Sequence, residues 1–380
     1  MTDPQPLRLA FLADPNSLHT RRWVAWCAER GHEVTLLDPF DTRVDDGLPA
    51  SVGVRAVSAA GPPLPGVRLL ARRRALRAAL ERCRAQVLHA HFVRRFGWQA
   101  ALSGFRPLVV SPWGSDILRA PRRAVRTRLW NRFALGSATL VTVSSEGMRD
   151  AAIRAGARAD RIQLVHHGVD TRAFAPGPPD ASLAERLALG NAALVVSPRS
   201  IRPLYRQPVV VDAVARLVAG GRDLVLVMSA RGADPATLAE VRARAAAGGI
   251  AERLRILDDV PHDQLAALFR LADVVVSVPE TDSFPVTLLE AMACARPIVA
   301  SDLPAVTPVL RGVDAGAASL VVPVGDPAAT AAAIERALAM DPDARAAMGG
   351  RLRAHVVQTA DYQTNMARME RLYRQLAAGR

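Results

Sequence analysis

The chain contains 380 residues, half of them apolar, and this length favours two α/β domains that each bury a sizeable core. No apolar run approaches the length of a membrane span, the amino terminus lacks the pattern of a signal peptide, and the three widely spaced cysteines favour neither disulfides nor a cysteine zinc site, so we expect a cytoplasmic protein. The net charge of +13 lies in the first half, because residues 1–176 hold 27 arginines against 14 acidic residues, and the chain contains no lysine.

Short β-rich runs alternate with amphipathic helical stretches along the chain. The runs are continuously apolar, as strands of a parallel sheet are when both faces are buried. Helical stretches between them, such as TRRWVAWCAERG, end at glycine, as helices often do. The strands predicted in the first half are 8–13, 33–37, 86–92, 107–111, 139–143 and 162–166.

A segment rich in proline, 173–185, reads as a linker between two domains. Helices are predicted near the end of the chain at about 328–340 and 343–358, and a last amphipathic segment could cross back onto the first domain. The strands predicted in the second half are 193–197, 223–229, 254–257, 273–278, 297–301 and 319–323.

The alternation predicts an α/β protein of two doubly wound, Rossmann-like parallel-sheet domains. The first covers 1–175 and is joined by the returning helix 360–380. The second covers 176–359.

The most specific stretch is PETDSFPVTLLEAMACARPIVASD, residues 279–302. A strand ends, a loop carries Asp282, and a helix opens near Phe284 with Ser283 as its predicted cap. The backbone N–H groups of the first helical turn form an anion site, and Glu290 follows within the helix. Two carboxylates beside a phosphate pocket suit a nucleotide sugar, because carboxylates bind hydroxyls and amides bind the diphosphate.

This stretch resembles the signature of the family-4 retaining glycosyltransferases of the GT-B fold, also described as glycosyl transferases group 1. Their signature is an acidic residue, seven residues and a glutamate, followed by Ala-Met-Ala and a Pro-x-Val-Ala-Ser strand. The resemblance implies two Rossmann-like domains that face a cleft, with the active site in the cleft. It extends over nearly the whole chain through RGHEV (30–34), HAHF (89–92), PWGSD (112–116), HHGVDTRAFAP (166–176) and SPRSIRPLYR (197–206).

The resemblance also implies roles for the residues of the signature. Glu290 would bind the ribose of the donor nucleotide, and Asp282 would hold hydroxyls of the transferred sugar. The donor would be a nucleoside diphosphate sugar, and no further cofactor and no metal are expected. Residues around the helix start would bind its phosphates, namely Ser283, Phe284, Pro285, Val286 and Thr287.

A second segment, SPRSIRPLYRQP, follows the first strand of the second domain. The family places an arginine and a lysine here to neutralise the departing diphosphate. Arg199 matches the arginine, and Arg206 is our candidate for the missing lysine, with Arg202 in reserve. Arginine suits the role because its planar guanidinium binds phosphate oxygens bidentately.

The first domain has its own candidates at strand ends. The loop after the opening strand carries Asn16 and Ser17 where the family often has two glycines that let the donor phosphate approach, so the resemblance makes these two residues candidates for contact with that phosphate. His19 begins the next helix as a catalytic candidate. His89 and His91 lie two residues apart at a strand end, so they share a face near the crevice.

On the acceptor side, His91 is joined by Trp113, Gly114 and Asp116 of the PWGSD segment. Trp113 stands where many relatives have a histidine near the reacting centre, so the role of that histidine does not carry over.

Each candidate also has a structural interpretation that the sequence leaves open. Glu290 and Asp282 can be a helix-surface charge and a first-turn acid, Arg199 and Arg206 surface residues, and Asp116 a helix cap. The histidines can be packed residues; this reading is favoured for His32, His166 and His167. Glu280 is expected to face solvent.

Two basic segments account for much of the charge, residues 69–84 and residues 118–135. The second interleaves arginines with Leu129, Trp130 and Phe133. Either segment can be a solvated helix face over a buried stripe, or a peripheral contact with an anionic membrane. Nucleic acid is not expected, because no recognition motif is present.

The function predicted is therefore sugar transfer from a nucleotide sugar to an acceptor hydroxyl with retention. The acceptor would be lipid-linked or a growing envelope polysaccharide, at the inner face of the membrane. Two rival classes remain, a GT-B epimerase or phosphorylase and a non-catalytic nucleotide-sugar-binding scaffold. A phosphorylase with a lysine-bound pyridoxal cofactor is excluded because the chain has no lysine.

Overall fold

The computed structural model describes residues 5–45, 47–57, 65–118, 125–258 and 260–379. The chain forms two compact units. Unit 1 is Met1–His167 with Thr364–Arg380, and unit 2 is Gly168–Gln363. Among the described residues, none of the helices combines the length and the apolar character that crossing a membrane requires.

Unit 1 is built on a seven-stranded parallel sheet in the order β3-β2-β1-β4-β5-β6-β7. Its central strands are buried on both faces, which explains their continuous apolar sequences. The strands are β1 Arg8–Leu12, β2 Glu33–Asp38, β3 Val52–Ala56, β4 Val87–His91, β5 Leu108–Ser111, β6 Leu140–Val143 and β7 Ile162–Leu164. The helices are α1 Leu18–Glu29, α2 Pro65–Arg82, α3 Trp98–Ser103, α4 Ser115–Leu118, α5 Val125–Ser137 and α6 Glu146–Arg154.

Unit 2 repeats the plan with six parallel strands in the order β10-β9-β8-β11-β12-β13. Its strands are β8 Ala193–Ser200, β9 Leu224–Ser229, β10 Leu254–Leu257, β11 Val274–Ser277, β12 Ile298–Ser301 and β13 Val321–Val322. Its helices are α7 Ala181–Arg186, α8 Gln207–Ala219, α9 Pro235–Ala247, α10 His262–Leu271, α11 Val286–Ala293, α12 Thr307–Val313, α13 Ala315–Ala318, α14 Pro327–Leu338 and α15 Pro342–Thr359.

The last helix, α16 Tyr362–Ala378, belongs to unit 1 from Thr364 onward. Its residues Met366, Met369 and Tyr373 are buried. The predicted linker at 173–185 lies inside unit 2, where Phe174 is buried and packs on Phe269. The units therefore divide at residue 167 rather than at the proline-rich segment.

Both sheets have the doubly wound order predicted from the sequence, and all twelve predicted strands are present. Strand β3 is the one described strand that was not predicted. Only Val52 of this edge strand is buried, so its sequence lacks the continuous apolar run that marks the others. In each unit the strand order reverses beside the first strand, between β1 and β4 and between β8 and β11, which is where ligands bind in such sheets.

Candidate functional site

The end of β8 in unit 2 is fixed by Gln207, the first residue of α8, which is buried. Ser197 Oγ donates to Gln207 Oε1 at 2.7 Å, and Gln207 Nε2 donates to the Arg199 carbonyl oxygen at 2.5 Å. These bonds hold the backbone from which the Arg199 side chain leaves. Because β8 borders the point where the strand order reverses, Arg199 is directed into the ligand-binding end of the sheet.

Arg199 and Asp282 form an ion pair at this end of the sheet. Arg199 Nη2 donates to Asp282 Oδ2 at 2.7 Å, and the two side chains are 15% and 12% exposed. The guanidinium carbon of Arg199 also lies 4.2 Å from the centroid of the Tyr205 ring, a cation–π contact. Two residues predicted separately for the donor site are therefore in direct contact.

The acidic loop differs from its prediction at the helix start. Phe284 is buried and has φ 104°, Pro285 is extended at the N-cap position, and α11 begins only at Val286. The prediction that Ser283 caps the helix is therefore wrong, because two non-helical residues separate it from the first turn. The Ser283 N–H group instead donates to Asp282 Oδ1 at 2.7 Å.

The first turn of α11 offers polar groups close to Asp282 in sequence. Val286 and Thr287 are the first two residues of α11, so their backbone N–H groups have no acceptor within the helix and can bind a ligand. Thr287 Oγ1 is buried and has no hydrogen-bond partner in the described part of the chain. Glu290 lies in the next turn and is only 2% exposed, which excludes the helix-surface interpretation.

The remaining two arginines of the segment make other contacts. Arg206 is exposed, has φ 52°, and pairs with Glu280 at 3.3 Å, with both side chains nearly half exposed. Arg202 Nε donates to the Gly232 carbonyl oxygen at 2.5 Å. Of the three arginines in this segment, only Arg199 pairs with Asp282. Arg206 pairs with Glu280 instead, and Arg202 contacts a backbone carbonyl.

In unit 1 the loop after β1 is built around Asn16. Its Oδ1 accepts from Arg21 Nη2 at 2.9 Å and from the Asp45 N–H group at 3.0 Å, while its Nδ2 donates to the Arg43 carbonyl oxygen at 2.8 Å. Ser17 is the N-cap residue of α1, with no side-chain capping bond. The Asn16 side chain thus ties two loops together, and its predicted phosphate contact stays a prediction.

Three candidate rings of unit 1, those of His19, His91 and Trp113, form one cluster with His167, which we call the histidine cluster. His19 stacks on His167 with ring centroids 4.7 Å apart, and Trp113 lies 4.8 Å from His91 and 5.5 Å from His167. Burial lowers the pKa values of His91 and His167, and the neighbouring histidines lower them further. Both are therefore neutral near pH 7, and each offers one donor and one acceptor nitrogen.

His89 is adjacent to this cluster but has a different role. Its Nδ1 hydrogen-bonds Tyr373 Oη at 2.6 Å and its Nε2 hydrogen-bonds Ser111 Oγ at 2.6 Å, while burial lowers its pKa to about 3. Both ring nitrogens are occupied, so His89 connects α16 to the sheet. His32 likewise accepts from the Leu7 N–H group, as its structural interpretation requires.

Asp116 is fully buried and anchors the loop that carries Trp113. Its carboxylate accepts from the N–H groups of Val93 at 2.8 Å, Trp113 at 3.1 Å and Gly114 at 2.9 Å. Burial raises its pKa to about 6, although these hydrogen bonds favour the ionised form. Asp116 lies inside α4 and accepts from residues that precede the helix, so the interpretation of Asp116 as a helix cap is wrong. A contact with the acceptor stays a prediction.

Three residues at these sites were not predicted to act there. The sequence favours a structural interpretation for His167, and its motifs assign no role to Gln207 or Tyr205. Each lies in the segment that follows a strand, within seven residues of the strand's carboxyl end, and this position is the available signal.

Comparison with known proteins relates both halves of the chain to the same group of enzymes. Residues 193–340 match the family described as Glycosyl transferases group 1, and residues 17–173 match Glycosyltransferase Family 4. D-inositol 3-phosphate glycosyltransferase of Geodermatophilus obscurus is 30% identical over 344 residues, which cover 82% of this chain and 75% of that protein. The enzyme of the same name from Jonesia denitrificans is 30% identical over 58% of this chain, and the match spans only about half of its length, 53%.

Solved structures confirm the GT-B fold. A glycosyltransferase from Rickettsia africae has a TM-score of 0.78 at 14% identity, covering 98% of this chain and 99% of that one. HepE from Anabaena, in complex with UDP, has a TM-score of 0.76 at 18% identity, covering 97% and 100%. Sucrose-phosphate synthase from Thermosynechococcus elongatus has a TM-score of 0.78 at 20% identity, covering 98% and 100%.

The raised pKa of Asp116 predicts a pH-dependent stability. In the unfolded chain this carboxyl has the ordinary aspartate pKa of 3.8, whereas in the folded protein its pKa is about 6. Its contribution to stability is therefore present at low pH and is lost as the pH rises through about 6, a loss of about 3 kcal/mol. The free energy of unfolding of the wild type minus that of Asp116→Asn, measured by urea denaturation from about pH 3 to 7, should fall by this amount. Parallel profiles would show that burial does not shift the pKa of this carboxyl.

Proposed function

Because the chain belongs to the group 1 glycosyltransferases, we propose that it transfers a sugar from a nucleoside diphosphate sugar to an acceptor hydroxyl with retention of the anomeric configuration. The observation that supports this most is the pairing of Arg199 with Asp282 beside the first turn of α11. A guanidinium and helix amides suit a diphosphate, and the nearby carboxylates suit sugar and ribose hydroxyls.

The proposed reaction breaks the bond between the sugar C1 and the diphosphate oxygen, so negative charge develops on the departing phosphate. Arg199, with Arg206 as the second cation, would stabilise that charge in place of a metal ion. The acceptor hydroxyl attacks C1 from the side the phosphate leaves, and the phosphate takes its proton. The rest of the rate enhancement would come from positioning of the reactants, with Asp282 holding the sugar and His19, at the start of α1, contributing as well.

The proposed acceptor is an anionic molecule bound by unit 1. Unit 1 holds 30 arginines against 14 acidic residues, whereas unit 2 holds 19 against 22. The curated relatives are named for D-inositol 3-phosphate, which is an anionic polyol. His91 Nε2 and His167 Nδ1 are buried without a partner among the described residues, so these neutral rings can hydrogen-bond acceptor hydroxyls.

We further propose that the acceptor is lipid-linked or part of an envelope polysaccharide and that α5 contacts an anionic membrane. Val125, Leu129 and Phe133 are exposed at positions i, i+4 and i+8, on one face of the helix, among exposed arginines. Trp130, which was predicted to share this surface, instead packs on Trp98 with ring centroids 5.0 Å apart. Residues 119–124 of the basic segment 118–135 lie outside the described part of the chain.

Substitution of Glu290 by glutamine tests the donor assignment. The side chain keeps its shape but loses its charge, and a hydrogen bond to a charged group is worth about 1.5–3 kcal/mol, so we expect nucleotide-sugar affinity to fall about tenfold or more. The measurement is calorimetric titration with UDP, GDP, ADP and dTDP and with the sugar donor of whichever binds. Glu240→Gln, on the exposed face of α9, is the matched control. Unchanged nucleotide affinity in Glu290→Gln, with the wild-type melting temperature, would contradict the ribose assignment.

Removal of each arginine tests the proposed leaving-group chemistry. Loss of one partner of a desolvated charge costs about 2–5 kcal/mol, so Arg199→Ala should lower the transfer rate at least tenfold. Arg206→Ala should also reduce it, by less, because Arg206 is half exposed. Initial rates are measured with a chelator present throughout. Loss of wild-type activity in the chelator, restored by a divalent ion, would refute the account, and an unaffected Arg206→Ala would transfer its role to Arg202.

Flotation with liposomes tests the membrane proposal. The wild type should rise with anionic phosphatidylglycerol vesicles and not with phosphatidylcholine vesicles, and salt should weaken the binding, because each arginine near an anionic surface contributes about 1 kcal/mol.

Two variants make this test specific to α5. Leu129→Ser with Phe133→Ser should reduce flotation, whereas Val357→Ser, an exposed apolar position on α15 of unit 2, should not. If the wild type stays with the soluble fraction at low salt as well as at physiological salt, the acceptor is a soluble anion rather than a lipid.

A further inference from the structure

We propose that Asp282 makes the donor site selective for the complete nucleotide sugar over the bare nucleoside diphosphate, by competing with phosphate for Arg199. This inference rests on the proposed function. It assigns to Asp282 a second role besides holding the sugar.

The pair is held from several sides. Asp282 Oδ2 accepts from Arg199 Nη2 at 2.7 Å, and Asp282 Oδ1 accepts from the Ser283 N–H group at 2.7 Å, so both carboxylate oxygens are engaged. Tyr205 contacts the guanidinium at 4.2 Å. Little of either charged side chain is exposed to water. The guanidinium therefore presents part of its hydrogen-bonding edge to an anion that belongs to the protein.

A diphosphate that Arg199 binds bidentately competes with Asp282 for Nη2, because a guanidinium binds carboxylate and phosphate in the same way. When the diphosphate takes Arg199, the Asp282 carboxylate loses its cation in a site with little access to water, and this is unfavourable. A nucleotide sugar compensates for the loss, because the sugar hydroxyls donate to the released carboxylate. A bare nucleoside diphosphate has no such hydroxyls.

Binding of sugar and diphosphate is therefore coupled through this one pair. If the ligand binds only when the pair is open, its apparent affinity is the intrinsic affinity multiplied by the fraction of molecules in which the pair is open. The sugar hydroxyls remove this penalty, because they stabilise the open state. The same coupling favours release of the nucleoside diphosphate after transfer, when the sugar has left Asp282.

The neighbouring pair of Arg206 and Glu280 does not impose the same competition. Its atoms are 3.3 Å apart and both side chains are nearly half exposed, so water can solvate Glu280 when the pair opens. The selectivity is thus assigned to Asp282 alone.

The experiment measures the affinity of the nucleoside diphosphate for Asp282→Asn by calorimetry, using whichever of UDP, GDP, ADP and dTDP binds the wild type. Since even an exposed ion pair can be worth about fivefold in affinity, we expect the amide to bind the nucleoside diphosphate at least about fivefold more tightly while sugar transfer falls. The matched control is Asp223→Asn. Asp223 also pairs with an arginine, Arg253, but it precedes β9 and so lies at the opposite end of the sheet.

A double variant separates competition for Arg199 from simple removal of a negative charge. In an Arg199→Gln background, Asp282→Asn should no longer tighten nucleoside diphosphate binding, because the contested guanidinium is gone. If Asp282→Asn still increases nucleoside diphosphate affinity to the same extent in the Arg199→Gln background, the gain comes from removing charge repulsion, and the inference is overturned. Asp282→Ser, which keeps an acceptor for the Ser283 N–H group, serves if the asparagine variant melts at a lower temperature than the wild type.

The outcomes for the two proposals can be told apart. Unchanged or weaker nucleoside diphosphate binding in Asp282→Asn, together with reduced transfer, would overturn the selectivity and leave the proposed function intact. Full sugar transfer in that variant would refute the role of Asp282 in both. Failure of the wild type to bind any of the four nucleotides would also overturn both.

Discussion

Burial of the parallel strands on both faces is the constraint that organises each unit. A strand such as β11 or β12 has no solvent-facing side, so its residues are apolar and its polar groups appear only where it ends. The carboxyl ends of all strands in a parallel sheet lie at one edge, and the reversal of strand order opens a crevice there. Residues distant in the sequence are thereby assembled, as with Arg199 and Asp282, which are separated by 83 positions.

This assembly has an electrostatic consequence. An arginine placed in a crevice with little access to water needs an anion, and Asp282 supplies one from the neighbouring strand end. The supporting bonds are equally specific, since Gln207 fixes the backbone of Arg199 and Tyr205 covers its guanidinium. The crevice of unit 1 differs, because burial holds the pKa values of His91 and His167 well below neutral pH, so these two rings offer hydrogen bonds rather than charge.

The sequence predicted the fold better than it predicted the contacts. Continuous apolar runs identified twelve strands, and this signal is strongest in the strands that are buried on both faces, whereas the exposed edge strand β3 left none. The signature around Asp282 and Glu290 indicated the proposed donor site, but the predicted start of the helix was wrong. Proline suits a first turn in general, and the positive φ of Phe284 that moves the helix to Val286 leaves no mark in a sequence. The pairing of Arg199 with Asp282 was equally inaccessible, because the residues were predicted from separate motifs.

The positive charge of unit 1 and its histidine cluster have complementary properties. The arginines of α2 and α5 are largely exposed, so they act at a distance and their attraction is weakened by salt. The rings of His91 and His167 carry no charge near neutral pH, so in the proposed acceptor site they would distinguish ligands by hydrogen-bond geometry at short range. An anionic acceptor would thus be attracted by charges that do not touch its reacting hydroxyl and then be oriented by neutral groups that do. Since charge and orientation come from different residues, a substitution among the exposed arginines should change the salt dependence of acceptor binding, whereas a substitution in the cluster should change which hydroxyl is used.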